Sequence, residues 1–197
     1  MFKYHYQFKV LKKIINSKSF GIIKTINIKF GIPHLNNNNF RYRKNNGGGA
    51  FFDLGCYTIK LNNLILKQKP KTIYGKIFKK KSKVDLSGFV VLSYKNDITS
   101  FLEWSFGRSY LNILEIWTDK LFLKLSKPFS KKADEITKME IYTNNRIKYI
   151  SIKPDNHFKK MFEYYYFLIN SNNKKNIYKK ELINHQNIYF KILENIS

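Results

Sequence analysis

Val84-Asp85-Leu86-Ser87-Gly88-Phe89-Val90-Val91-Leu92-Ser93-Tyr94-Lys95-Asn96-Asp97-Ile98-Thr99-Ser100-Phe101-Leu102-Glu103-Trp104-Ser105-Phe106 is the stretch that decides the fold. It holds two strand-like runs, Val84–Tyr94 and Ile98–Phe106, either side of the turn-forming pair Asn96-Asp97. Working outward, Thr72–Lys79, Asn112–Thr118, Lys120–Leu125, Thr137–Thr143 and Arg146–Ile152 read as further strands, with Asp119-Lys120 and Asn144-Asn145 as turns. Gaps of hairpin length imply mainly antiparallel pairing. The strands alternate rather than being apolar throughout, so one sheet face is expected to be partly exposed or buried against a partner.

Before this meander, Phe51, Leu54, Thr58, Leu61 and Ile65 recur at spacings of three and four, and Pro70 closes that helix. Tyr6 to Ser19 sets Val10, Leu11, Ile14 and Ile15 against Lys9, Lys12, Lys13 and Asn16, a second helical stripe ended by Gly21. Ile22 to Phe30 alternates as a strand with Ile26, Ile28 and Phe30 on one face. Residues 31–49 form a long connection, of the kind that is functional or disordered. After the meander, Pro154 to Ser171 carries Phe158, Met161, Phe162, Tyr165 and Leu168 at helical spacing, and Lys179 to Ile196 carries Leu182, Ile188, Ile192 and Leu193. This order predicts one α+β domain over residues 1–197, a large, mainly antiparallel open sheet with helices packed on one face.

A net charge of +24 on 197 residues ordinarily points to nucleic acid or an anionic membrane. The make-up of that charge argues otherwise: 33 Lys but 4 Arg, beside 25 Ile, 22 Asn and 2 Ala. Coding bias towards A and T produces this pattern, whereas nucleic-acid readers rely on Arg for bidentate contacts. No specific nucleic-acid partner is expected, and Lys79-Lys80-Lys81 and Lys174-Lys175 read as solvated turns. A nucleic-acid binder would instead show affinity falling steeply with salt. No run of about 18 apolar residues marks a membrane helix, and Met1–Tyr6 has no continuous apolar stretch of a secretory signal. Cys56 stands alone, which excludes an internal disulfide framework, fits a cytoplasmic setting and reads as a small buried hydrophobe.

Chemistry concentrates in Asn39-Phe40-Arg41 and Gly47-Gly48-Gly49-Ala50-Phe51-Phe52-Asp53-Leu54-Gly55-Cys56-Tyr57. Three glycines permit close backbone approach just before a helix, whose first turn favours a carboxylate. Asp53 lies in that turn, and Tyr57, four residues on, shares its face. A carboxylate accepts hydrogen bonds from substrate hydroxyls, and a phenol donates a proton to a developing alkoxide or takes one back. The plainer readings remain open: a flexible glycine linker, a helix-start carboxylate, a core tyrosine, and an Arg41 that only pins the loop. No His, Cys and carboxylate cluster at metal-ligand spacing suggests a metal.

This string resembles the Gfo/Idh/MocA oxidoreductases, in the Tyr-bearing branch of glucose–fructose oxidoreductase, dihydrodiol dehydrogenase and sugar-nucleotide ketoreductases. Similarity extends to Met1-Phe2-Lys3-Tyr4-His5-Tyr6-Gln7, to Ser17-Lys18-Ser19-Phe20-Gly21, to Phe40-Arg41 and to Asn156-His157-Phe158, hence over nearly the whole chain. Tyr6, where the family often has Pro, is a small departure. The resemblance implies Asp53 and Tyr57 as catalytic residues, with Arg41, His5, His157, Gly48 and Gly49 beside a sugar, polyol or nucleotide-sugar substrate. His5 reads more readily as a packed or capping residue than as a ligand, and for His157 a helix-start role is equally good. The resemblance further implies NAD or NADP held mainly by an N-terminal Rossmann domain, and homo-oligomers formed through the open sheet face. No Gly-x-Gly-x-x-Gly follows a strand and no Glu-Lys-Pro occurs, so this chain is expected to contain no Rossmann domain and to be inactive without one, supplied by a longer reading frame or by a separate chain. The competing expectation is a non-catalytic sugar-binding or oligomerisation module.

Overall fold

The computed structural model describes residues 1–79 and 82–196, with the backbone alone at 172–174. Lys80 and Lys81 of the first lysine cluster therefore lie outside the described residues, as does the side chain of Lys174. Eight strands form one sheet in the order β2-β3-β4-β1-β5-β6-β7-β8. They are β1 Ile23–Ile32, β2 Thr72–Phe78, β3 Ser87–Ser93, β4 Thr99–Phe106, β5 Leu111–Thr118, β6 Phe122–Ser126, β7 Thr137–Thr143 and β8 Arg146–Ile152. Every pairing is antiparallel except β1 with β4, which run parallel at the centre.

Register shows how alternation makes two unlike faces. Val90, Leu102, Ile28, Leu114, Leu125 and Met139 pair in one row across β3, β4, β1, β5, β6 and β7, all buried. One residue along, the row reads Tyr74, Val91, Phe101, Asn27, Glu115, Lys124, Glu140 and Tyr149 across all eight strands. That second row faces away from the helices and leaves Tyr74, Phe101 and Tyr149 exposed.

Helices α1 Tyr6–Ile15, α2 Cys56–Leu66 and α4 Asn172–Ile196 pack on the first face, while α3 His157–Ile169 packs on α4 and on the turn Phe2–Tyr4. α1 ends four residues before the expected Ser19, because the Ser17 hydroxyl bonds back to the Ile14 carbonyl at 2.7 Å and a turn follows. α4 starts seven residues before the expected Lys179, after a break of two residues from α3. The long connection 31–49 is ordered by two short 3₁₀ turns, Phe40–Tyr42 and Lys44–Asn46.

Trp104 on β4 is fully buried beneath the start of α2, and two glycines make its space. A Cβ at Gly55 would sit 3.1 Å from the indole, and one at Gly88 2.6 Å from it. Phe51, Leu54, Thr58 and Leu61 are buried and Ile65 is half-buried, as the sequence stripe requires.

Candidate functional site

The helix carrying Asp53 and Tyr57 opens with one π-helical turn, Phe51–Gly55, a rare form that recurs at functional sites. Its start is pinned by Asp85, whose carboxylate accepts from the Phe51 amide at 2.7 Å while its carbonyl accepts from Ala50 at 3.0 Å. Gly49 adopts φ +124, and a Cβ there would lie 2.3 Å from the Asp85 carboxylate. Gly48 packs on the main chain of Arg41, whose carbonyl a Cβ would meet at 2.4 Å. The space expected to admit a ligand at Gly48 and Gly49 is thus filled by the chain itself. Burial raises the Asp85 carboxyl above its ordinary value, against the opposing pull of the Phe51 amide.

The same fold of the loop delivers Arg41. Asn39 caps its turn by accepting from the Arg41 amide at 3.1 Å, and the Arg41 Nε donates to Asp53 Oδ2 at 2.7 Å. Both partners stay about one-third exposed, so this is an accessible ion pair rather than a sealed one.

Tyr57 lies one turn beyond, half-buried, with its ring among Phe2, Phe30 and Phe129 at centroid distances of 6.2, 5.7 and 5.6 Å. Among the described residues its hydroxyl has no hydrogen-bond partner. Burial pushes the phenol up to about 12, with the neighbouring Cys56 and Asp53 adding to the rise and Arg41 opposing it. The group therefore holds its proton at neutral pH.

Tyr57 lines a cleft of about 270 Å³ with Phe2, Tyr4, Lys60, Glu181 and His185. Asp53 is not part of that lining; it is held by Arg41. Lys60, Glu181 and His185 were not singled out from the sequence. Lys60 had a signal, since it follows Tyr57 by three residues on the same helix face. Glu181 accepts from Lys60 Nζ at 3.0 Å and from Lys3 Nζ at 3.2 Å, which holds its carboxyl below the usual range despite burial. Burial, with Lys60 beside it, lowers His185 to about 4, so the imidazole is neutral.

His5 and His157 do not reach this cleft. They are 1% and 3% exposed, with ring centroids 5.8 Å apart, packed where α1 and α3 begin. His5 Nδ1 accepts from the Gln7 amide at 3.0 Å as the cap of α1, which leaves the proton on Nε2. The expectation that they lie beside the substrate is corrected to a place in the interior, where His5 caps α1 and packs on His157, while His5 Nε2 and His157 Nδ1 find no hydrogen-bond partner among the described residues. Among the described residues no group of three His, Cys, Asp or Glu side chains could hold a metal, and no helix is long and apolar enough to cross a membrane.

Sheet and site together define an open-faced α+β domain whose helix start presents a carboxylate and a phenol. The chain belongs to the GFO/IDH/MocA C-terminal domain family, whose model matches residues 8–123. It is 29% identical over 136 residues to a dTDP-3,4-didehydro-2,6-dideoxy-alpha-D-glucose 3-reductase of Saccharopolyspora spinosa, covering 68% of this chain and 41% of that protein. Over 88 residues it is 26% identical to a trans-1,2-dihydrobenzene-1,2-diol dehydrogenase of Xenopus laevis, covering 44% of this chain and 26% of that one. The fold is that of a 3-ketoreductase from Actinomadura kijaniata solved with NADP and TDP-benzene, at TM-score 0.79 and 21% identity over 83% of this chain and 51% of the other. The chain spans about half the length of these relatives or less.

Proposed function

We propose that this chain is the substrate-binding and proton-transfer half of an NAD(P)-dependent oxidoreductase acting on a sugar, polyol or nucleotide-sugar. The observation that carries the reading is that Tyr57 lines an open cleft, one turn after the Arg41–Asp53 pair, with no hydrogen-bond partner for its hydroxyl among the described residues. Tyr57 gives its proton to the oxygen of the carbonyl being reduced, or takes one from the alcohol in reverse. Burial, which pushes the phenol up to about 12, keeps it in the protonated form that can donate. Asp53, aligned by Arg41, accepts from a substrate hydroxyl, and Lys3 and Lys60, both paired with Glu181, bring positive charge to the cleft.

The nicotinamide, when bound, supplies or accepts the hydride. This chain offers a phenol and an apolar wall beside it, and its glycine bend is no cradle for the pyrophosphate, because Asp85 and the Arg41 main chain occupy it. Dinucleotide binding therefore rests mainly on a domain beyond these residues, whether joined to this chain or separate. Exposed Tyr74, Phe101, Trp117 and Tyr149 on the sheet face opposite the helices support homo-oligomers formed through that face.

The test mixes the chain with the dinucleotide-binding half of the Saccharopolyspora relative and follows NADPH consumption with a keto-sugar nucleotide. Tyr57→Phe is expected to lower turnover about 10²–10⁴-fold, the usual loss on removing a general acid. Turnover unchanged in both Tyr57→Phe and Asp53→Asn would instead favour a non-catalytic sugar-binding or oligomerisation module.

A further inference from the structure

Helix α3 is apolar on two sides. Its inner side, His157, Met161, Tyr164 and Leu168, packs inward, with His157 and Leu168 buried and the other two half-buried. Its outer side repeats Phe158, Phe162, Tyr165 and Ile169 at spacings of four, three and four, which places all four within a narrow stripe. These four are 48%, 64%, 62% and 49% exposed, and Tyr166 beside them is 72% exposed. At 150–250 Å² for a whole aromatic side chain, the stripe presents on the order of 500 Å² of apolar surface, the size that marks an interaction site on a monomer.

We infer that this stripe is the docking surface for the dinucleotide-binding domain, an inference that rests on the reading under Proposed function. The surface is continuous with the candidate site. Tyr4, Met161 and Tyr178 line both the Tyr57 cleft and a second hollow of about 300 Å³, and that hollow is completed by Phe162 and Tyr165 of the stripe. A domain that brings a nicotinamide to Tyr57 must close over the first hollow, and the second opens directly beside it. Met1, Phe2 and Tyr4 line the Tyr57 cleft, so a domain seated on the cleft and on the adjoining stripe covers the segment 1–4 as well. Lys159 and Glu163 border the stripe as an ion pair at 3.9 Å, so the matching face is apolar at its centre with a polar rim.

The probe is the separately produced dinucleotide-binding half of the Saccharopolyspora spinosa relative, added to the whole chain. Hydrogen exchange should show α3 and residues 2–4 protected on mixing. The double variant Phe162→Ser, Tyr165→Ser should bind about 10- to 100-fold more weakly, the loss expected for central aromatic anchors. Both sites are solvent-facing, so the variant should melt like the parent, which separates lost docking from lost folding. Tyr57→Phe should dock like the parent while losing turnover; docking without turnover in the parent would sink the catalytic reading and leave this one intact. Equal binding by the double variant, protection confined to the sheet, or no binding at all overturns the inference. So does a dimer of the chain alone that this double variant dissociates, since a second copy would then own the stripe.

Discussion

Helices α2 and α3 are both apolar, and the structure treats them in opposite ways. α2 has Thr58, Ile59, Leu61 and Asn62 buried in four of five successive positions and rests on the β4 tryptophan. α3 buries only His157 and Leu168 of thirteen residues and turns a row of aromatics outward. Amphipathic patterning tells how many sides of a helix require cover, but not which neighbour supplies it. α2 finds its cover within this chain; the outer side of α3 does not.

The sharpest break of this contrast is Leu61→Ala. Leu61 is 1% exposed and sits in the main core, where truncation leaves a cavity that close-packed neighbours fill only partly. The expected loss is about 2–5 kcal/mol of unfolding free energy in a denaturant titration. A loss below about 1 kcal/mol would mean that α2 is as loosely held as α3.

How far the sequence reached follows the same division. The period-two alternation of β1 and β3 to β7 is visible because one face is dry, and the row from Val90 to Met139 confirms it strand by strand. The α2 stripe was legible for the same reason. Asp53, Tyr57 and Arg41 were legible as a local constellation, and the structure joins Arg41 to Asp53. Asp85 was not, since its duty is to cap a helix start thirty-four residues earlier in the chain, and no local pattern records so distant a contact. Glu181 and His185 were missed likewise, because α4 folds back over α2 from the far end of the chain. His5 and His157 were placed near the substrate by resemblance, while burial and capping put them in the interior. On α3, Met161 and Leu168 turn inward as expected of a core stripe; Phe158, Phe162 and Tyr165 do not.

A smaller effect probes the one end of α3 that is anchored. His157 packs on His5, with Lys131, Asp155 and Lys160 the charged groups around the pair. Burial, aided by Lys131, lowers His5 to about 4 from an ordinary 6.5, and it lowers His157 as well. Below pH 6.5 the unfolded chain takes up a proton that the folded chain refuses until about pH 4. Stability is therefore fully present above pH 6.5 and falls as the pH is lowered through this window. His5→Asn keeps an acceptor for the Gln7 amide and removes the titration, so its thermal midpoint should fall less between pH 7 and about 4.5 than the parent's. Parallel pH profiles for the two proteins would show that His5 is not the titrating anchor; His185, also lowered to about 4, would then be the next to replace.

The smallest effect completes the comparison. In the chain alone, Phe162→Ala removes a ring that is 64% exposed, so little buried area is lost and no cavity forms. Alanine also favours the helix over phenylalanine by a few tenths of a kcal/mol, which offsets part of that loss. The expected change in unfolding free energy is within about 0.5 kcal/mol, as for a surface site. The same denaturant titration used for Leu61→Ala measures it, so the two helices are weighed on one scale. A cost near that of Leu61→Ala would mean that Phe162 is already covered in solution, and the contrast between α2 and α3 would then be one of partners already met rather than of one met and one awaited.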